Sequence, residues 1–269
     1  MNRLDAVFVR GKKVLIAYLC VGDPSIDESI VLARACIRAG ADVIELGVPF
    51  SDPTADGPTI ASASQRAIRV GGGLEATLRA SHAIRSTDPH VGLVLFGYYN
   101  PLFVRGETRS ARDAAEAGID ALLVVDLPIE ASETLHDAAK ANGMGLVPLL
   151  APTSRAERVT AAAHAAARGP VPFIYYISVT GVTGSGAIDA HEAGARAQQI
   201  ARQTGRPVVV GFGIDSGAKA RHAAEHADGV VVGTALVRAI ERGRTPDERR
   251  DAVERLVGEL RSGLDHAPA

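Results

Sequence analysis

DVIELGVPFSDPTADGP, residues 42–58, combines a strand signal with two candidate catalytic groups. Its first half is a short apolar run with β-branched residues, which predicts a buried strand. Glu45 is near the carboxyl end of that strand, and the Pro/Gly/Asp-rich loop behind it carries Asp56. No Lys or Arg occurs between Arg38 and Arg66. Burial and neighbouring negative charge raise the pKa of such a carboxylate, so Glu45 is a candidate general acid and base.

Similar apolar runs recur along the chain, separated by Ala-rich stretches with helical patterns. Most are continuously apolar, which is typical of parallel strands covered by helices. Eight βα units without a break in composition predict one α/β domain over residues 1–269, a closed (β/α)8 TIM barrel with a short N-terminal helix. A doubly wound open sheet is the alternative, although it normally uses fewer strands. The predicted strands are residues 14–19, 43–48, 91–98, 121–125, 145–150, 173–178, 207–211 and 229–233.

Local signals indicate where helices begin and end. Ser25-Ile-Asp-Glu28 and Ser154-Arg-Ala-Glu157 both match a capping box. Gly40, Gly118 and Gly143 follow helical patterns and suit the left-handed position behind a helix. We therefore expect two helices to begin after these serines and three to end at these glycines.

Composition argues against several classes of protein. The net charge is −2, from 29 basic and 31 acidic residues, without the basic patches of a nucleic-acid-binding or membrane-anchored protein. Trp is absent and aromatic residues make up 4%, so base-stacking surfaces are not expected. Cys20 and Cys36 lack CxxC spacing, which fits a reducing compartment. With no apolar signal core and no membrane-length run, we expect a soluble, cytoplasmic protein.

Glycine-rich turns follow the last three predicted strands: Gly181-Val-Thr-Gly184-Ser-Gly186, Gly211-Phe-Gly213 and Gly233-Thr234. Many barrels hold a phosphate in these loops, because glycine lets the backbone approach an anion and amides at a helix start donate to it. The last two turns contain no Lys or Arg, so binding would depend on amides and the Thr234 hydroxyl. Each turn alone could be a tight βα turn, but three at one face favour a phosphate site.

Two other motifs do not support a cofactor. His222-Ala-Ala-Glu225-His226 fits a zinc pattern, but it falls on a predicted outer helix with no third ligand in evidence. Residues 211–217 are one residue too long for the dinucleotide-binding motif G-x-G-x-x-G. Neither zinc nor a dinucleotide is therefore expected.

Several motifs together make the chain similar to the tryptophan synthase alpha subunit family, and residues 45–59 are the most specific of them. This resemblance implies cleavage of indole-3-glycerol phosphate to indole and glyceraldehyde 3-phosphate in tryptophan biosynthesis, without metal or cofactor. It also implies a partner, a pyridoxal-phosphate beta subunit, in a heterotetramer of two alpha and two beta subunits. The motifs are Gly22-Asp-Pro24, Glu45-Leu-Gly-Val-Pro-Phe-Ser-Asp-Pro53, Ala55-Asp-Gly-Pro-Thr59, Tyr98-Tyr-Asn-Pro101, Asp126-Leu-Pro128, Leu150-Ala-Pro-Thr153, Gly181-Val-Thr-Gly184 and Gly211-Phe-Gly-Ile214.

The resemblance also implies roles for single residues. Glu45 matches the general acid and base, and Asp56 matches the carboxylate that bonds the indole N–H. Thr183 lies in a loop that closes over the site and orients Asp56. The positions matched around the indole are Tyr18, Ile60, Phe96, Tyr98 and Leu123, with Tyr175 nearby. The positions matched around the phosphate are Gly184, Gly213, Gly233 and Thr234.

The sequence departs from the family pattern at three positions. Cys20 and Thr234 stand where the family usually has Thr and Ser, and Thr54 replaces a bulky aliphatic residue in the Asp56 loop. None of the three removes a catalytic group. Because the family's Asp56 loop communicates with the beta subunit, any effect of Thr54 is expected on regulation rather than on chemistry.

Three alternative functions remain open at this point. A stand-alone lyase that releases free indole would use the same site. A non-catalytic relative would bind the ligand and only activate a partner, but the intact Glu45 and Asp56 count against it. A barrel isomerase of a phosphorylated aminosugar would share the phosphate site without the Glu45 segment.

Overall fold

The computed structural model describes residues 3–9, 12–177, 190–211 and 213–267. The strands in these ranges are β1 (Val14–Cys20), β2 (Val43–Gly47), β3 (Gly92–Gly97), β4 (Ala121–Val124), β5 (Gly145–Leu146), β6 (Leu149–Leu150), β7 (Ile174–Ile177), β8 (Val208–Gly211) and β9 (Gly229–Val232). The helices are α1 (Arg3–Val9), α2 (Ile26–Arg38), α3 (Pro58–Arg69), α4 (Leu74–Thr87), α5 (Tyr99–Arg105), α6 (Glu107–Glu116), α7 (Glu133–Ala141), α8 (Ala156–Arg168), α9 (Ala190–Thr204), α10 (Gly217–Ala224), α11 (Thr234–Arg242) and α12 (Pro246–Asp265).

The strands form one parallel sheet in the order β5-β4-β3-β2-β1-β9-β8-β7-β6. Its two end strands, β5 and β6, are adjacent in the chain, so the sheet closes on itself. Val147 N donates to Leu122 O at 2.8 Å on one side, and Pro148 O accepts from Tyr175 N at 3.0 Å on the other. The TIM barrel predicted from the sequence is thereby confirmed, whereas its extent as a single domain over residues 1–269 stays a prediction.

The fifth predicted strand, residues 145–150, is wrong as a continuous element. The structure divides it into β5 and β6, with Val147 and Pro148 between them. Pro148 has no N–H and cannot donate to a ladder, which explains the interruption. Each short piece pairs with a different neighbour, β5 with β4 and β6 with β7.

Alternation along the strands places Glu45 inside the barrel. Val43 belongs to the buried cluster within the barrel, whereas Ile44 and Leu46 pack outward against the helices. Because side chains on a strand alternate between its faces, Glu45 shares the inner face with Val43. Of these two inward side chains, that of Glu45 lies closer to the carboxyl end of β2, where the barrel opens.

The amino-terminal end of the barrel is covered by α1, the short helix predicted from the sequence. Leu4 and Val7 are buried in the inner cluster, and the rings of Phe8 and Phe173 lie 5.5 Å apart. At Gly92 any Cβ would lie 2.6 Å from Cδ2 of Leu4, so glycine is what lets the helix seat this closely. The opposite end of the barrel is therefore left to bind a ligand.

The predicted helix boundaries are confirmed except at one position. Ser25 Oγ accepts from Glu28 N at 3.1 Å, and Gly40, Gly118 and Gly143 have φ of +108°, +86° and +74°. The capping box predicted at Ser154 is wrong. Its Oγ accepts from Ala151 N at 2.9 Å within the preceding turn, and α8 begins only at Ala156.

In the part of the chain that the structure describes, no helix has the length and apolar character needed to cross a membrane.

Candidate active site

A cavity of 340 Å³ opens at the carboxyl ends of the strands. Most of the residues predicted for the site meet there, while Tyr98 and Leu123 lie just behind its wall. Thr183 and Gly184 lie outside the described residues. The predicted residues that line the cavity are Tyr18, Glu45, Asp56, Ile60, Phe96, Tyr175, Gly213, Gly233 and Thr234.

Glu45 is the buried acidic group of this cavity. The residue is 1% exposed, and its Oε1 atom has no hydrogen-bond partner within the described part of the chain. Burial raises the pKa of Glu45 to about 8, because the protein interior disfavours the charged form. A carboxyl group that titrates near neutral pH can both donate and accept a proton during one reaction cycle.

Asp56 lies at the cavity wall and is held by Tyr98. The Tyr98 hydroxyl donates to Asp56 Oδ2 at 3.0 Å and accepts from the backbone N of Ala55 at 3.0 Å. Burial raises the pKa of Asp56, while the hydrogen bond from Tyr98 lowers it. The ring of Tyr98 is itself fixed by Phe50, stacked at 4.9 Å with an interplanar angle of 24°.

Aromatic rings form the wall between the two carboxylates. Tyr18 and Phe96 meet edge to face, with ring centroids 5.2 Å apart and an interplanar angle of 76°. A Cβ at Gly47 would overlap the hydroxyl of Tyr18, and one at Gly211 would overlap the hydroxyl of Tyr175. These two glycines therefore make room for both tyrosines on the inner face of the barrel.

Leu123 supports this wall from behind. It pairs in register with Phe96, is fully buried, and belongs to the central cluster of the barrel rather than to the cavity lining. Tyr98 likewise lies behind the lining, where it contacts Asp56. The roles predicted for both residues beside the indole stay predictions.

Backbone groups after β8 and β9 form another part of the cavity lining. Gly233 caps α11, and its carbonyl oxygen accepts from Val237 N at 3.0 Å. The amides of the first turn of α11, beginning at Thr234, have no acceptor in their own helix and can donate to an anion. Gly213, with φ of +48°, completes this part of the lining. Among the described residues that line the cavity there is no Lys or Arg.

Apolar residues that the sequence analysis did not single out complete the lining. Each lies within the last two residues of a strand or up to three residues beyond it, so position near a strand end was the signal that could have found them. They make much of the cavity lining apolar. They are Val125, Leu149, Ile177, Ile214 and Val231.

The zinc pattern on α10 forms no metal site. His222 Nδ1 lies 3.3 Å from Glu225 Oε2 in a surface pair, and His226 Nδ1 lies 3.2 Å from Gln198 Nε2. The described residues contain no group of three or more His, Cys, Asp or Glu side chains able to hold a metal.

Comparison with known proteins places the chain among relatives of matching length. The family model for the tryptophan synthase alpha chain matches residues 4–265. The chain belongs to the tryptophan synthase alpha chain family. The tryptophan synthase alpha chain of Xanthomonas oryzae pv. oryzae is 43% identical over 99% of this chain and 100% of that protein. That of Xylella fastidiosa is 42% identical over 98% of this chain and 99% of that protein.

Solved structures of the family have the same fold. Tryptophan synthase subunit alpha from Legionella pneumophila str. Paris superposes with a TM-score of 0.90 at 33% identity, covering 98% of this chain and 99% of that one. Tryptophan synthase from M. tuberculosis in its aminoacrylate-bound form gives 0.86 at 33% identity, covering 98% of this chain and 100% of that one.

Membership in the family confirms three predictions: a lyase, the alpha reaction on indole-3-glycerol phosphate, and a place in tryptophan biosynthesis. It also implies a complex with a beta subunit. The non-catalytic relative, the stand-alone lyase and the aminosugar isomerase are not favoured by these relatives.

Proposed function

We propose that the cavity binds indole-3-glycerol phosphate with its indole ring beside Tyr18 and Phe96 and its phosphate at the start of α11. The observation that carries this proposal is the buried carboxyl of Glu45, whose Oε1 atom has no hydrogen-bond partner among the described residues and which lies in the same cavity as Asp56. An apolar wall with two carboxylates at one end and free amides at the other suits an aromatic ring joined to a phosphate.

Glu45 serves both proton transfers of a retro-aldol cleavage. With a pKa near 8 it is protonated at neutral pH, and it gives its proton to C3 of the indole ring. The resulting carboxylate then takes the proton from the hydroxyl on the glycerol carbon attached to C3. The electrons of the C–C bond return to the ring, which leaves as indole, and the hydroxyl carbon becomes the aldehyde of glyceraldehyde 3-phosphate. Glu45 ends the cycle protonated again.

Asp56 stabilises the intermediate between these two steps. Protonation at C3 places positive charge on the indole nitrogen, whose N–H then donates more strongly to a carboxylate. A hydrogen bond that strengthens as charge develops lowers the barrier rather than only tightening binding. Burial raises the pKa of Asp56, and the hydrogen bond from Tyr98 opposes this by favouring the charged form that this role needs.

The phosphate site depends on backbone amides. Gly213, Gly233 and Thr234 line that end, and no cation lines it among the described residues. The helix dipole of α11 and its free amides supply the favourable field. Gly184 and the closing loop with Thr183, which lie outside the described residues, stay predictions.

The beta subunit docks, in this proposal, on α5 beside the cavity, in a heterotetramer of two alpha and two beta subunits. Phe103 and Val104 on α5 are 61% and 77% exposed and adjacent in the chain, and a partner bound there would remove both from water. Tyr98 directly precedes α5, so a partner on this helix would act close to Asp56. The cytoplasmic location likewise stays a prediction.

Indole release from indole-3-glycerol phosphate and from its dephosphorylated form tests this proposal. We expect cleavage of the first and poor binding of the second. Equal affinity for both would contradict the phosphate site, and no indole from either would contradict the assigned substrate.

A further inference from the structure

Arg66 joins three elements at the carboxyl end of the barrel. It lies on α3, and its guanidinium donates to both carboxylate oxygens of Asp23, which follows β1: Nε to Oδ1 at 2.8 Å and Nη2 to Oδ2 at 2.8 Å. Its remaining nitrogen, Nη1, donates to Glu241 Oε1 on α11 at 2.9 Å. One side chain therefore connects α3, α11 and the turn after β1.

Both of these helices begin at the cavity. The first residue of α3, Pro58, follows Asp56 by two positions, and Ile60 on the same helix lines the cavity. The first residue of α11, Thr234, lines the end assigned to the phosphate. Arg66 thus connects α3, which follows the loop of Asp56, to α11, which is assigned to the phosphate.

The inner faces of α3 and α11 pack together as well. Ala63 and Ala67 of α3 share one buried cluster with Val237 of α11 and Tyr18 of β1. Small side chains on α3 let the two helices approach closely. Farther from the barrel, Arg66 of α3 contacts Glu241 of α11. The two helices are therefore in direct contact beside the cavity.

The Arg66–Asp23 pair affects orientation more than stability. Asp23 is 5% exposed, so the desolvation of its charge offsets much of the attraction. A bidentate pair also fixes the plane of the guanidinium, which a single-point contact cannot do. Glu241 is 51% exposed, so its ion pair with Arg66 contributes little to stability. The buried contact with Asp23 is what holds the guanidinium in place, with Nη1 directed at Glu241 on α11.

We propose that Arg66 is a positioning residue that couples anion binding at α11 to the placement of Asp56 ahead of α3. This inference rests on the proposed function. Its consequence is cooperative binding of the two halves of the substrate: a phosphate compound at α11 tightens the hold on indole, and indole does the same for the phosphate compound by linkage.

Calorimetric titration with indole, in the presence and absence of glycerol 3-phosphate, measures this coupling. We expect glycerol 3-phosphate to tighten indole binding to the unchanged protein by about five- to tenfold. In Arg66→Gln the factor should approach one, and kcat should fall by about tenfold since the ring is misplaced against Asp56. Arg66→Lys keeps the positive charge beside Asp23 but loses the bidentate contact. It should therefore fold, while glycerol 3-phosphate should tighten indole binding less than in the unchanged protein.

Arg249→Gln is the matched control. Arg249 makes the same forked contact to Glu28 between α12 and α2, at 2.7 and 2.9 Å, away from the cavity. It should lower thermal stability without changing the coupling factor. If Arg66→Gln does not fold, Arg66→Lys is used instead. A smaller effect of glycerol 3-phosphate on indole affinity than in the unchanged protein then supports the coupling, and an equal effect overturns it.

The two proposals fail in different ways. If the unchanged protein cleaves indole-3-glycerol phosphate but binds indole and glycerol 3-phosphate independently, the coupling is overturned and the lyase assignment stands. The coupling through Arg66 is likewise overturned if both Arg66 variants keep the full factor. If the unchanged protein neither binds the two compounds nor cleaves the substrate, the proposed function fails and the coupling fails with it.

Discussion

The hydroxyl group of Tyr98 donates a hydrogen bond to Oδ2 of Asp56 over 3.0 Å. Tyr98 follows β3, whereas Asp56 lies in the loop after β2, so the bond connects the loops of neighbouring strands. It opposes the effect of burial, which raises the pKa of Asp56, and favours the charged carboxylate. Tyr98, which lowers the pKa of Asp56, thus stands next to α5, the helix that carries the exposed Phe103 and Val104.

Tyr98→Phe tests this effect. The phenyl ring keeps its place against Phe50, but the loss of the donor raises the pKa of Asp56 further. If the ionised form of Asp56 is needed, kcat/KM should fall about tenfold on the acid side, and the acid limb of the pH profile should move to higher pH. Tyr99→Phe, on the first residue of α5, is the control. Superimposable acid limbs for Tyr98→Phe and the unchanged protein would refute the role.

Glu45→Gln keeps the shape of the side chain and removes its titrating proton. Since two proton transfers depend on this group, indole formation should drop toward the upper end of the about 10²–10⁴-fold loss typical of general acid–base catalysis. Asp52→Asn removes an exposed carboxylate from the neighbouring loop and should leave the rate unchanged. A Glu45→Gln variant that forms indole at a near-normal rate would exclude the mechanism.

The same substitution should stabilise the protein at high pH. The pKa of Glu45 is about 8 in the folded chain, against an ordinary value of 4.5, so the folded state binds the proton more tightly. The stability that this proton contributes is full below the ordinary value and is lost as pH rises through about 8. Glu45→Gln has no such loss, so its Tm should exceed that of the unchanged protein above the folded pKa. Parallel Tm curves across the pH range would show that Glu45 is not desolvated.

Much of the fold and site could be predicted because both depend on local patterns. Continuous apolar runs revealed the parallel strands, and strand-end positions brought Glu45 and Asp56 into one cavity. The division of the fifth strand depends on which neighbour each half pairs with, a tertiary choice that no run of residues shows. For the same reason no local pattern indicated that Tyr98 acts through Asp56, since the bond joins separate loops.

Gly233→Ala isolates the contribution of close anion approach. A Cβ at this position would meet no atom nearer than Cβ of Tyr18 at 3.5 Å, an ordinary contact, so the variant should fold normally. The added methyl group stands at the anion end of the cavity and should raise KM for the phosphorylated substrate by about tenfold. Affinity for dephosphorylated indole glycerol should stay the same. Gly258→Ala, in open space on α12, is the control. An unchanged KM would remove Gly233 from the phosphate site.

Replacement of the exposed apolar residues of α5 tests where the beta subunit docks. Phe103 is 61% exposed and Val104 is 77% exposed, and their burial against a partner would remove both from water. Phe103→Ser should weaken binding of the beta subunit more than Val104→Ser, because a large aromatic anchor contributes most to an interface, and we expect at least about a tenfold rise in Kd. Val31→Ser provides the matched control, since Val31 is 46% exposed on α2 at the outside of the barrel. Calorimetric titration of each of the three variants with a beta subunit gives its Kd, to be compared with that of the unchanged protein. If Val31→Ser weakens the complex as much as Phe103→Ser does, the partner does not dock on α5, and its effect on Asp56 must reach the site by another route.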